Sequence, residues 1–294
     1  MPTDGDRPVK KSKGIRKKGS LGQVRKVVAY EAIKELHEEK AYAILPMCKI
    51  MSVTRSAYLR WIEHPYSERT LENMELAKVI RIIHNEHPEK GYRGINNDLL
   101  REHDIHVNDK RVLRICRHEG IQSTIKHSAN SITKGADVTE FKYYEGPEIH
   151  KVYLSAILDL YDRRIVSYVI SDTNDLNIAF DTFDQAIETE PDAHPLFHSD
   201  RGFQYTHQNF YNRIIEAEMT QSMSRVGKCI DNGPMEGFWG MIKREKYYGK
   251  KFTSRTELVT MIANYMDYYN NGRYQRKLHV LTPMEYHNLY YEAA

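Results

Sequence analysis

Apolar positions recur at helical spacing through the first half of the chain and at strand spacing in its middle, and this change of period divides the sequence. Helical periodicity starts near Val24 and runs through Ala29, Ala32, Ile33 and Leu36. Two shorter periodic segments lie within residues 45–62 and break at Ser52-Val53-Thr54, where Thr54 is placed to cap a helix that buries Ala57, Tyr58 and Trp61. Arg55, Ser56 and Tyr58 then open the second helix of a helix-turn-helix-like unit. The pattern recurs with a helix over 76–84, a second over 91–103 that carries Arg93, and a third in DKRVLRICRHEG after Val107-Asn108. Lys110, Arg111, Arg114 and Arg117 fall on one broad face of that third helix, while Val112, Leu113, Ile115 and Cys116 turn inward.

From residue 136 the period is two. ADVTEFKYY alternates up to a break at Gly146-Pro147; KVYLSAILDLY follows, then a turn at Asp162-Arg163, then RIVSYVIS, which together predict an antiparallel meander. Residues 174–188 read as a helix, 196–198 as a short strand, 208–218 as a helix and 219–223 as another strand. Residues 234–247 form an amphipathic helix with Pro234 in its first turn, where a missing N–H costs little. Three strands, helix, strand, helix, strand, helix is the order of an RNase H-like fold. The predicted class is therefore α/β, a mixed sheet flanked by helices, preceded by an all-α helix-turn-helix region. The predicted divisions are a flexible basic arm over 1–22, a helix-turn-helix-like segment over 23–66, a second helical DNA-binding segment over 67–127, a short linker over 128–135, and an RNase H-like core with a C-terminal helical extension over 136–294.

Composition narrows the class. With 40% hydrophobic and 28% charged residues, the 294-residue chain is an ordinary folded one. It has no apolar run near the ~20 residues of a membrane span and no apolar signal core, which predicts a cytoplasmic protein. Cys48, Cys116 and Cys229 are far apart and lack CxxC spacing, which argues for a reducing compartment and against a disulfide framework or a zinc site; no HExxH pair is present. The net charge of +3 hides a partition: residues 1–30 hold nine Lys/Arg against two Asp, residues 137–200 hold 14 acids against four bases, and residues 201–294 are basic again. Basic flanks beside helix-turn-helix candidates point to nucleic acid.

Within the acidic block, Asp137 lies in the first predicted strand and Asp200 follows the short strand in HSDRG, while Glu236 sits on the helix opened by DNGPMEGFW, with 35 residues between the last two. If the first and fourth strands lie side by side and the later helix crosses their ends, the three carboxylates converge. Convergent carboxylates resist ionising together unless cations hold them, and an oxygen-only set suits Mg²⁺ or Mn²⁺. Two such ions about 4 Å apart could drive an in-line displacement at a phosphodiester. Each acid also has an ordinary reading: an exposed strand residue, a turn residue before Gly202, and a first-turn acid favoured by the helix dipole. Asp159 is a rival for the first position but ends the second strand. Lys243 stands two helical turns after Glu236 on the same stripe, and KREKYYGKK interleaves Lys243, Arg244 and Lys246 with tyrosines, a pattern suited to DNA phosphates and base stacking, or simply to a solvated helix end.

HSDRGFQYTHQNF, SMSRVGKCIDNGPMEGFWGMIKRE and YNNGRYQRKLHVLTPMEY closely resemble transposases of the insertion-sequence-three family, in particular the product of their second reading frame, OrfB, whose core is similar to retroviral integrases. DVTEF with KVYLSAILDLYDRRIVSY resembles that family's opening strands, and GYRGINNDLL with VNDKRVLRICRHEGI its helical DNA-binding region. The resemblance implies Asp137, Asp200 and Glu236 as catalytic, metal-holding triad, Lys243 as the associated basic position, and two Mg²⁺ or Mn²⁺ ions. It implies cleavage at insertion-sequence ends to free a 3′-hydroxyl, strand transfer into target DNA, a homo-oligomeric synaptic complex, and a product of the upstream frame, OrfA, as partner. In one respect the chain departs from the pattern: Gly135-Ala136 stands where the family places a tryptophan and a threonine, after a shortened connector. An unfilled aromatic site costs about 3–5 kcal/mol, and this departure admits the alternative of a weakened or inactive DNA-binding relic, or a regulator of transposition.

Overall fold

The computed structural model describes residues 21–64, 66–125, 138–225 and 232–293. By its contacts the chain forms two compact units, Met1–Leu76 and Ala77–Ala294. The expected basic arm lies outside the described residues up to residue 20, as do the linker and Asp137.

In the first unit α1 (Leu21–Lys40), α2 (Ile44–Ile50) and α3 (Arg55–Glu63) enclose a core of Tyr30, Ile33, Met47, Cys48 and Tyr58, with Trp61 packed against it. The side-chain oxygen of Thr54 accepts from the Ala57 N–H at 3.3 Å, capping α3 where the sequence places the cap. The helix α4 (Glu68–Glu86) runs through the division between the units and is longer than its apolar period predicts.

The second unit opens with α5 (Tyr92–His103) and α6 (Asp109–Glu119), a helix-turn-helix whose joint is set by the left-handed Asp104 and by Asn108, which caps α6 by accepting from the Lys110 N–H at 2.8 Å. Then β1 (Val138–Glu145), β2 (Glu148–Leu158) and β3 (Ile165–Ser171) form the expected antiparallel meander. The hairpin register runs from Val138↔Ser155 to Glu145↔Glu148, closed at Gly146, whose φ of +60 is a conformation that favours glycine. Burial alternates along β1, with Thr139, Phe141 and Tyr143 facing inward. The helix α7 (Leu176–Thr189) precedes β4 (Leu196–Ser199); α8 (Gln208–Glu216) precedes β5 (Thr220–Met223), and β4 pairs with β5 in parallel. The helix α9 (Gly233–Ile242) follows, and the C-terminal extension is α10 (Arg255–Asn271) and α11 (Pro283–Ala293). One core joins the meander to α9 and α10 through Phe141, Val152, Leu154, Phe238, Trp239, Ile262 and Tyr265. A second lies among α7, α8 and β4–β5, built on Phe183, Tyr205, Phe210, Ile214 and Met219.

Two expectations need correction. Among the described residues β4 pairs only with β5, and β1 only with β2, so the first and fourth strands are not side by side there. Nor is 234–247 one α-helix: α9 stops at Ile242, and residues Lys243–Tyr247 form a π-turn closed by the Tyr248 N–H to Lys243 C=O bond of 2.7 Å. A cavity of about 520 Å³ lies in the second unit, lined by Ala156, Leu158, Phe183, Leu196, Met219 and Met235, with Asp162 and Arg164 among its polar lining groups.

Candidate active site

The sequence places Asp200 at the exit of β4, and the backbone fixes it there. Buried Ser199 accepts from the Ser224 N–H at 2.9 Å, and Arg201 Nε donates to the Ser224 carbonyl at 2.9 Å, so the loop after β4 is tied to the chain leaving β5. Asp200 Oδ1 accepts from the Gly202 N–H at 2.7 Å. A Cβ on Gly202 would stand 2.8 Å from that same oxygen, closer than carbon and oxygen can pack, so the carboxylate position requires glycine two residues on. The sequence names Gly202 only as the residue that follows a turn at Asp200; HSDRG is the signal that marks it. Downstream, Gln204 Nε2 donates to Asn174 Oδ1 at 2.7 Å and pins the loop to the chain before α7.

Glu236 sits in the first turn of α9, between buried Met235 and buried Phe238, with Pro234 opening the helix. The exposed N–H groups and dipole of a helix start favour an anion here. Its Oε1 is buried and has no hydrogen-bond partner among the described residues. A buried carboxylate oxygen without a donor is costly unless a cation or a ligand satisfies it. Among the described residues no group of three His, Cys, Asp or Glu side chains is close enough to hold a metal; Asp137 is not among them. The rival Asp159 is occupied differently: its Oδ1 accepts from the N–H groups of Tyr161 at 2.6 Å and Asp162 at 3.2 Å, capping the β2–β3 turn.

Lys243 lies over the Phe141 ring at 5.2 Å, and burial lowers its pKa against the opposing pull of Glu140. Arg244 packs on Gly240, where a Cβ would meet its guanidinium at 2.7 Å. Lys246 pairs with Glu89 at 3.0 Å and lies over Tyr268 at 5.7 Å. Of the remaining sequence-expected DNA contacts, Arg55, Arg93, Lys110 and Arg114 are exposed and Arg111 is half-buried. Sequence reading missed Arg276, which donates to Asp109 at 2.7 and 2.8 Å and holds its carboxyl at about 2, well below the usual range.

Residues 71–129 match an HTH-like domain, residues 127–229 an integrase core domain, and residues 236–290 a second integrase core domain model. The protein InsK of insertion sequence element IS150 from Escherichia coli is 32% identical over an alignment covering 73% of this chain and 83% of its own length. The chain belongs to the insertion-sequence-three family of transposases. A transposase-like protein of Haemophilus influenzae is 35% identical, covering 64% of this chain and 95% of that one. The transposase InsF for insertion sequence IS3A of Escherichia coli is 23% identical, with 86% and 96% covered. Among solved structures, the HTLV-2 integrase catalytic core domain in complex with magnesium aligns at 18% identity and a TM-score of 0.38, over 51% of this chain and 92% of that one. The transposase is an α/β enzyme with an integrase core behind a helical region, a polynucleotidyl transferase acting on DNA. No helix among the described residues is long and apolar enough to cross a membrane.

Proposed function

We propose that this transposase cleaves the ends of its insertion sequence and joins the freed 3′-hydroxyl to target DNA through Asp137, Asp200 and Glu236, with two Mg²⁺ or Mn²⁺ ions as cofactor. The observation that carries the reading is Glu236 Oε1, a buried oxygen without a donor among the described residues, at a helix start in the integrase-core region. The donor set is all carboxylate, which fits a hard divalent cation. When bound, such ions activate an attacking oxygen and stabilise the leaving one in an in-line displacement.

The chain's own residues supply position. The Gly202 N–H fixes Oδ1 of Asp200 at the exit of β4. Rigid α9, anchored by Phe238 and Trp239, holds Glu236 in place. A desolvated Lys243 adjoining the same helix attracts a phosphate more strongly than a solvated one, because the surrounding dielectric is low. The exposed face of α6, with Lys110 and Arg114, contacts the end DNA, and Arg55 and Arg93 add phosphate contacts. Assembly as a homo-oligomer on paired ends, with the upstream-frame OrfA product as partner, belongs to the same reading, as do the domain limits set out from the sequence.

The test is Mg²⁺-dependent nicking and strand transfer on duplexes bearing the element's terminal repeats. Asp200→Asn and Glu236→Gln should each lower the rate by about 100-fold or more while leaving end binding intact. Wild-type rates in either variant would sink the triad.

A further inference from the structure

The basic face of α6 does not hang from a loose tether. Arg276, in the short turn Arg276–Leu278 after α10, reaches back to the start of α6. Its guanidinium donates to both Asp109 oxygens at 2.7 and 2.8 Å, to Asn97 Oδ1 at 2.9 Å and to the Arg93 carbonyl at 3.1 Å. Asp109 is the first residue of α6, and Asn96 Nδ2 donates to it as well at 2.7 Å. One planar cation therefore joins α5, α6 and the C-terminal extension, in the forked geometry that fixes direction as well as distance.

Two further contacts bracket it. Arg101 of α5 donates to Glu285 of α11 at 2.5 Å and lies over Tyr274 at 5.4 Å. Beyond α4, Glu89 pairs with Lys246, while Lys90 and Lys246 both lie over Tyr268, a residue of α10 on which His87 stacks. Contacts at three separate places resist both rotation and sliding of the helix pair, which a single contact would not.

We propose that the α5–α6 pair and the catalytic core act as one reading-and-cutting body in which Arg276 is the positioning residue that orients α6, so that the protein itself sets the number of base pairs between the sequence read and the bond cut. The proposal rests on the reading of α6 as a DNA-contacting helix and of the carboxylates as the cutting site.

The test uses the full-length protein and a terminal-repeat duplex, intact or with about five base pairs, half a turn of B-DNA, inserted between the footprinted region and the terminus. The wild type should cut the intact duplex at one position and cut the inserted one about 100-fold more slowly. Arg276→Ala should keep the footprint but cut at scattered positions and recover cutting of the inserted duplex. Asp109→Asn, which cannot form the ion pair, should behave likewise. The charge-exchanged Asp109→Arg/Arg276→Asp protein should restore the single position, a rescue that lost folding stability alone cannot give. A single cutting position in Arg276→Ala, with a footprint that still depends on Arg114, overturns the positioning role. A footprint unchanged by Arg114→Ala overturns the reading of α6 beneath it, and the proposal with it.

Discussion

Gly202 offers the sharpest test of where Asp200 must stand. An alanine there puts Cβ 2.8 Å from Asp200 Oδ1 and near Gln204 Oε1 at 3.2 Å. An ordinary carbon–oxygen contact needs about 0.5 Å more, and the carboxylate is the group that must give, because the Ser199 carbonyl and the Arg201 side chain are tied to Ser224 and the Gln204 side chain to Asn174. If a misplacement of about 1 Å costs about 100-fold in rate, half of that should cost about tenfold. Backbone strain is no confounder, since Gly202 is outside the left-handed region, and Gly→Ala at a compatible site changes stability by only about 1 kcal/mol. Gly237, beside Glu236 on α9, has nothing within 4 Å of a built Cβ and is the matched control. Single-turnover cleavage of terminal-repeat duplex, with urea unfolding in parallel, should show Gly202→Ala about tenfold slow at near-native stability and Gly237→Ala at wild-type rate. Equal rates in the two variants would refute the assignment of Asp200 to the site.

Three other outcomes follow from packing and charge. Ala186→Leu directs added methylenes into the 520 Å³ cavity and should raise the urea midpoint by the equivalent of about 1 kcal/mol; a lowered midpoint would mean the cavity does not accept them. Asp109 titrates at about 2 in the folded protein against 3.8 for a free group, so its contribution to stability is present above pH 3.8 and is lost as pH falls towards 2. The pair is 32% and 41% exposed, which discounts that contribution to about 1 kcal/mol, and acid titration of Asp109→Asn should show a correspondingly flatter loss over that range. Thr54→Ala removes the cap on α3 and should destabilise the first unit by about 1 kcal/mol in thermal unfolding; an unchanged transition would mean that the 3.3 Å bond carries no weight.

What was legible in the sequence is what local chemistry determines. Thr54 and Asn108 announce their helices because a capping oxygen acts within three residues. The β1–β2 hairpin is written in the alternation of Thr139, Phe141 and Tyr143 and in the Gly146 turn. The element order gave the fold class for the same reason. Partners distant along the chain were not legible. Nothing near Asp109 announces Arg276, 167 residues on, and the bond between Ser199 and Ser224 depends on a parallel pairing that periodicity cannot specify. The packing defect expected from Gly135-Ala136 falls on residues that are not described. The described β1–β2 ladder begins at Val138↔Ser155, however, and the cavity is lined by the next residues of β2, Ala156 to Leu158.

The stretch KREKYYGKK shows the same division at single-residue scale. Read at 3.6 residues per turn, it is one basic face offered to DNA. The π-turn over Lys243–Tyr247 inserts an extra residue into that rotation, so faces extrapolated beyond Ile242 are wrong by about 100°. The consequence is visible in where the charges go. Lys243 turns over Phe141, Glu245 pairs with Arg273 at 2.8 Å and accepts from the Tyr265 hydroxyl, and Lys246 reaches Glu89, 157 residues away. Desolvated ion pairs of this kind hold elements in register more than they add net stability. Past the turn, Lys250 and Lys251 are exposed, with Lys251 lying over the Tyr144 ring at 5.3 Å. Those two lysines, rather than Lys246, are the cations of this stretch best placed to meet a DNA backbone, because neither must first break an ion pair with a buried carboxylate.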